Sequence, residues 1–404
     1  MRQHGFVASF LLDAAAPERP GETPLRHACW GIVVVVAALS CGTSGGGNAG
    51  GRSDGGAVLD PVPGGEVDGG PLGVPDAGID AGTTAPDGGS PDGGDGGAGF
   101  QTITWSRLAD RPLGTSEAQG ALVGGKLYTF GGFNWSTPCC TPWRYAFVYD
   151  PTTNAWTRLA DMPEGLTHAG ATTDGTDVYY AGGFPEDASR TFQIFGTKHV
   201  WRYRVASNDY EALPDLPDDR GAGALRYLDG KLHFFGGESF GQGHDTPQHW
   251  VLDLAGGGTT WVAAAPMLPG RARNHLGSAV FQGKIYAVGG QHGHDEGLIE
   301  TPLLDVYDPA TDTWTPLADM PLAKGHIAMG TIVFRDRILV IAGEISNGHY
   351  TAEIAAYEPV TNTWEELTPF PTVRHSGIAA PMLGGFVYTT GEYSAETWLG
   401  VPGD

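Results

Sequence analysis

A glycine pair closing an alternating apolar stretch recurs in this chain as "KLYTFGG" (126–132), "DVYYAGG" (177–183), "KLHFFGG" (231–237) and "KIYAVGG" (284–290). Degenerate copies follow in "ILVIAGE" (338–344) and "GFVYTTGE" (385–392). Aromatic residues keep the same beat at Trp105, Trp156, Tyr210, Trp261, Trp314 and Trp364, spaced by 51, 54, 51, 53 and 50 residues. Several are preceded by one kind of turn, "DPTTNAW", "DPATDTW" or "EPVTNTW", in which Pro presets φ at the second turn position. A unit of this length cannot bury its own apolar faces alone. Self-similarity at a fixed period therefore predicts an array of stacked copies.

Each unit reads as four short strands, which in the fourth copy are "HLGSAVFQ", "KIYAVGG", "LLDVYD" and "TWTPL". Period-two alternation, β-branched and aromatic enrichment and Gly/Pro punctuation agree, and no helical period is sustained. The repeat resembles the kelch motif over residues 102–404. That resemblance implies an all-β fold, a six-bladed kelch-type β-propeller with four antiparallel strands per blade. Aligning "AEIAAYEP" (352–359) with "AETWLGVP" (395–402) leaves the last unit without its fourth strand. Residues 102–108, around Trp105, are expected to supply it and close the ring, which removes two free sheet edges.

Strand order sets which loops share a face. The start of each inner strand and the loop between second and third strands fall together, and those loops are the long ones: 133–143, 184–197, 238–247 and 291–301. Long, chemically mixed loops on one rim of a scaffold are the expected binding face. Aligned on the inner strand, the leading positions are Ala118, His168, Gly221, His275, His326 and His375, with Arg220, Arg273, Lys324 and Arg374 close by. Just past the glycines come Phe133, Phe184, Glu238, Gln291, Glu344 and Glu392. This ring is either a ligand pocket on the axis or a set of inter-blade anchors. Four imidazoles titrating near 6.5 would draw an anionic ligand more tightly towards pH 5. Phe133, Trp135, Trp143 and Phe184 are expected as exposed aromatics suited to sugar stacking or a protein hot spot.

Two neighbouring loops hold metal-capable groups, His244, Asp245 and His249 in one and His292, His294, Asp295, Glu296 and Glu300 in the other. No established ligand motif matches, so no metal site or cofactor is assigned. Cys139 and Cys140 are adjacent. Their Cα atoms, about 3.8 Å apart, fall below the usual disulfide range of roughly 4.4–6.8 Å, so a bond between them would be strained. Oxidation in an exported protein favours it, with bonding to another chain or free thiols as alternatives.

Upstream, "LRHACWGIVVVVAALSCG" combines basic residues, an apolar run from Ala28 to Leu39 and a Ser40-Cys41 ending. The run is too short to span a bilayer and fits a secretory signal over residues 1–40. The ending resembles the lipobox of bacterial lipoproteins, which implies lipidation of Cys41. The 24 residues before Leu25 are long for a signal and include Asp13, Glu18 and Glu22, so translation is expected to start downstream. Residues 41–100 join the anchor cysteine to a Gly/Asp/Pro-rich stretch with too little apolar surface to fold. As a coil it reaches about 40 Å. A net charge of −23 excludes a nucleic-acid partner, which needs a basic footprint.

These readings describe an exported, membrane-anchored lipoprotein of the bacterial cell envelope. It touches the membrane through its lipid alone, and its monomeric propeller is expected to bind a protein or a cell-envelope glycan. Galactose oxidase resembles the chain in its blades, but that likeness implies a copper site with a cysteine-linked tyrosine, for which no matching set is found. The resemblance to six-bladed sialic-acid mutarotases implies an alternative, sugar mutarotation or isomerisation by His, Arg and Glu at the channel mouth. Binding rather than catalysis is the expectation.

Overall fold

The computed structural model describes residues 99–403 apart from 135, 137–139, 240–243, 295 and 347. The expected signal segment, Cys41, the expected tether up to residue 98, Trp135 and Cys139 lie outside the described residues. Among those residues the regular structure is strand, arranged as six four-stranded antiparallel sheets with small hairpins on the long loops. The inner strands are Gln119–Val123, Gly170–Thr173, Ala224–Leu228, Gly277–Phe281, Thr331–Phe334 and Ile378–Met382. They neighbour one another in that order, and the last returns to the first. This is a six-bladed propeller.

Ring closure follows the sequence expectation. Ile103–Arg107 pairs antiparallel with Thr397–Pro402, from Ile103 opposite Pro402 to Arg107 opposite Trp398. The first described strand is thus the outer strand of blade 6.

The glycine pair owes its recurrence to the neighbouring blade. Gly131 and Gly132 both have positive φ, as do the pairs at 182, 236 and 289, a region L-residues enter at a cost. A Cβ on Gly131 would lie 2.2 Å from the Leu166 carbonyl oxygen of blade 2. The second residue of each pair donates its N–H to that next blade. Gly132 reaches Leu166, Gly183 Arg220, Gly237 Arg273, Gly290 Lys324, Gly343 Arg374 and Gly391 Thr115, all at 2.8–3.0 Å. The last of these bonds carries the pattern from blade 6 back to blade 1. In the degenerate copies Ala342 and Thr390 occupy the first position with φ of 59° and 57°.

The aromatic beat has a matching cause. Trp105, Trp156, Trp261, Trp314 and Trp364 donate Nε1–H, and Tyr210 its hydroxyl, to carbonyls of the linkers at Pro369, Ala109, Pro214, Ala265, Ala318 and Ala160. Each fourth strand is thereby fastened to the chain segment preceding its own blade. The apolar cores likewise lie between blades. One unites Phe130 with Tyr180 and Tyr203, another Leu127 and Tyr149 with Ile378 and Val387.

Blade 5 departs from the pattern. Residues 328–330 turn ahead of its inner strand, and Met329 packs against the cores on both sides of blade 1. It lines a cavity on the loop side of the channel and another, of about 150 Å³, beyond it. Met329 is the partition between them.

Candidate functional site

The channel mouth is built from residues whose place is set by backbone conformation. Glu117, His168, Ala222, His275, His326 and Ser376 all have φ between 49° and 55°. Each initiates its inner strand from one spot beside the axis. The N–H of His168 donates to the Glu117 carbonyl, Ala222 to His168, His275 to Ala222 and Ser376 to His326. In three blades the residue beside the axis is one position away from the one expected from the sequence. Glu117 replaces Ala118, Ala222 replaces Gly221, and Ser376 replaces His375. The axial carboxylate Glu117 was missed entirely. Counting two residues back from the first residue of each inner strand would have found it in blade 1.

Glu117 is buried among histidines. Its Oε2 lies 3.6 Å from His168 Nε2 and its Oε1 3.7 Å from His326 Nε2, and the Ser376 hydroxyl donates to Oε1. Burial alone would raise its pKa, but His168, His326, His375 and the Ser376 hydrogen bond outweigh it and hold the carboxyl below its ordinary value. His326 contacts Glu344 through Nδ1 at 2.9 Å. Burial opposes its charge, yet Glu344 and Glu117 raise its pKa to about 9. His275 goes the other way. Burial, then the neighbouring imidazoles, push it well below 6.5. The ring centroids of His275 and His326 are only 4.2 Å apart. His275 and His326 thus titrate far apart, where the sequence led one to expect both near 6.5.

The remaining sequence-derived residues divide between this cluster and the frame around it. Glu344 joins the cluster. His375 contacts Glu392 at 2.8 Å and stacks on Tyr350, while Glu238 lies 3.8 Å from His294 at the blade 3 rim. Arg220 leaves the mouth: it is buried against Asp218, Gln248 and the face of Trp250. Arg374 pairs with Glu396 and Ser394 of its own blade. Phe133 and Phe184 are not exposed rim aromatics but are buried, and Phe184 packs 4.5 Å from His168. Each pairs with the segment leading its own blade's inner strand, Phe133 with Ser116 and Phe184 with Thr167, and both rings lie against His168. Trp143 is half-buried and stacks on Tyr145.

The two metal-capable loops meet where His292 Nδ1 contacts Asp245 at 2.8 Å. His249 instead points into the frame, 3.0 Å from His233. Cys140 is disulfide-bonded, while Cys139, the partner expected from the sequence, lies outside the described residues. The cavity enclosed by Glu117, His168, His275, His326 and Ser376 measures about 20 Å³, room for about one water.

The family model described as Kelch motif matches residues 115–163 and 272–321, the stretches that build blades 1 and 4. The chain is a kelch-repeat β-propeller. This propeller is 31% identical over 278 residues to Kelch-like protein terF of Aspergillus terreus, covering 66% of this chain and 57% of that protein. Kelch-like protein 15 of Danio rerio is 29% identical over 237 residues, 54% of this chain and 37% of its own. The kelch propeller thus spans roughly a third to little more than half of these relatives' length. The solved structure of YjhT superposes with a TM-score of 0.57 at 15% identity, covering 73% of this chain and 95% of that one. At that identity the likeness concerns the fold.

Proposed function

We propose that this propeller is a recognition module that binds a protein through its long-loop face and is held at the cell envelope by a lipid on Cys41. Kelch-repeat propellers are typically protein-interaction modules. The observation that carries the reading is exposed apolar surface on this face. Phe192 and Ile194 on the blade 2 loop, Ile299 on the blade 4 hairpin and Val373 before blade 6 are 46, 51, 63 and 52% exposed. Such residues on a rim favour a protein partner. The glycan alternative loses support because Phe133 and Phe184, two of the four aromatics expected to stack on a sugar, are buried. A sugar-transforming pocket is also hard to place in a mouth cavity sized for one water.

Cross-linking in an envelope fraction of the native host, with wild type and an Ile194→Asp/Ile299→Asp variant, tests the proposal. A partner captured by wild type and reduced at least tenfold with the variant, at unchanged melting temperature, is the expected result. Equal capture by both proteins would remove the loop face from recognition. Aromatic-dependent signals on a glycan array would restore the sugar reading.

A further inference from the structure

The axial histidines have a property that binding at the rim does not use. His168, His275 and His326 each offer one ligand nitrogen, and the three atoms lie within 4.8 Å of one another. Each ring is held from behind by its Nδ1. His168 Nδ1 sits 2.8 Å from the Thr167 hydroxyl and His326 Nδ1 2.9 Å from Glu344. His275 Nδ1 sits 2.5 Å from Asn274 Oδ1.

The Asn274 contact settles the His275 tautomer. Asn274 Nδ2 donates to Asp245 Oδ1 and to the Gly293 carbonyl, so its Oδ1 must be the group facing the ring. An amide oxygen only accepts, hence His275 Nδ1 carries the proton and Nε2 presents a lone pair. That Nε2 is buried and, among the described residues, has no hydrogen-bond partner, in a side chain only 3% exposed. A buried, unpartnered acceptor is costly unless something occupies its lone pair.

We propose that His168, His275 and His326 bind a divalent first-row transition ion, zinc foremost, on the propeller axis. Three imidazoles suit this class, and polar contacts at the far nitrogen of each ring, to a hydroxyl, an amide or a carboxylate, are the usual means of orienting such ligands. Glu117 and Glu344 supply two negative charges beside the site, matching a dication. Ligand nitrogens about 2.0–2.1 Å from a tetrahedral zinc lie roughly 3.3 Å from one another, so binding draws the three rings inward. Glu117, in contact with two of them, is placed to be the fourth ligand or to orient a small one in the adjoining cavity. The ion would also tie blades 2, 4 and 5 together across the channel.

The test uses the full chain purified without a metal-affinity tag and stripped with chelator. Cobalt(II) is titrated by absorption spectroscopy, followed by zinc competition and calorimetry. Expected are one ion per chain, intense tetrahedral cobalt bands abolished by zinc, and a melting temperature raised by zinc. His275→Ala should weaken zinc at least tenfold and remove the thermal shift, whereas His292→Ala on the loop should change neither. Should His275→Ala fail to fold, His168→Gln carries the same expectation. Absence of stoichiometric binding, or binding abolished by His292→Ala and kept by the axial variants, overturns the proposal.

Discussion

At the scale of single residues, the most informative groups outside the mouth are two histidines folded in without charge. His233 and His249 lie side by side between blades 3 and 4, against Tyr307 and Trp314. Burial, first of all, lowers them to about 3 and about 4. Because their folded pKa values are depressed, the unfolded chain binds more protons below about 6.5, and stability falls as pH drops through that range. At pH 5 each would account for roughly 2 kcal/mol of lost stability. Urea unfolding at pH 7.5 and 5 should show the loss. His249→Gln should shrink the difference between the two pH values, whatever it does to stability at pH 7.5. An undiminished difference would mean that other groups govern the acid limb.

At the scale of elements, the closing strand is the one most open to test. Trp105 packs edge-on against Phe370 and Phe386 and donates to the Pro369 carbonyl, so it joins blades 5 and 6 as well as completing the ring. Trp105→Ala should cost about 3 kcal/mol. Deleting residues 102–112 should lower the melting temperature far more than deleting 42–98, and equal effects would refute closure as a source of stability. This strand was legible before any coordinates, since it repeats the "WTRLADMP" and "WTPLADMP" pattern and the last unit lacked a partner for it. The Met329 partition was not legible. Nothing in "HIAMGTIVF" signals that its methionine crosses to blade 1, because that contact joins residues far apart in the chain.

At the scale of the whole molecule, the propeller and its proposed tether make separable claims. If Cys41 carries the lipid, Cys41→Ala should move the protein from the detergent phase to the aqueous phase in Triton X-114 partitioning. Its unfolding transition should stay the same, because closure depends on residues 103–107 and the last blade. A protein that remains in the detergent phase after Cys41→Ala would place the anchor elsewhere. The six inter-blade hydrogen bonds from the glycine pairs and the cores shared between blades lead us to expect one cooperative transition rather than blade-by-blade melting.

The sequence by itself determined the strand period, the number of blades, the closing strand and the face that carries the long loops. All of these are carried by local pattern, because pleating, turn chemistry and left-handed glycines act within a few residues. It also brought His168, His275 and His326 to one rim. Only the tertiary structure decided what each side chain does there. Glu117 entered the cluster through backbone conformation, Arg220 turned away to Asp218 and Trp250, and Phe133 and Phe184 were buried. Those outcomes depend on which atoms of the next blade lie within hydrogen-bond reach or compete for the same space. The neighbours are some 50 residues away along the chain, so a single repeat does not encode them.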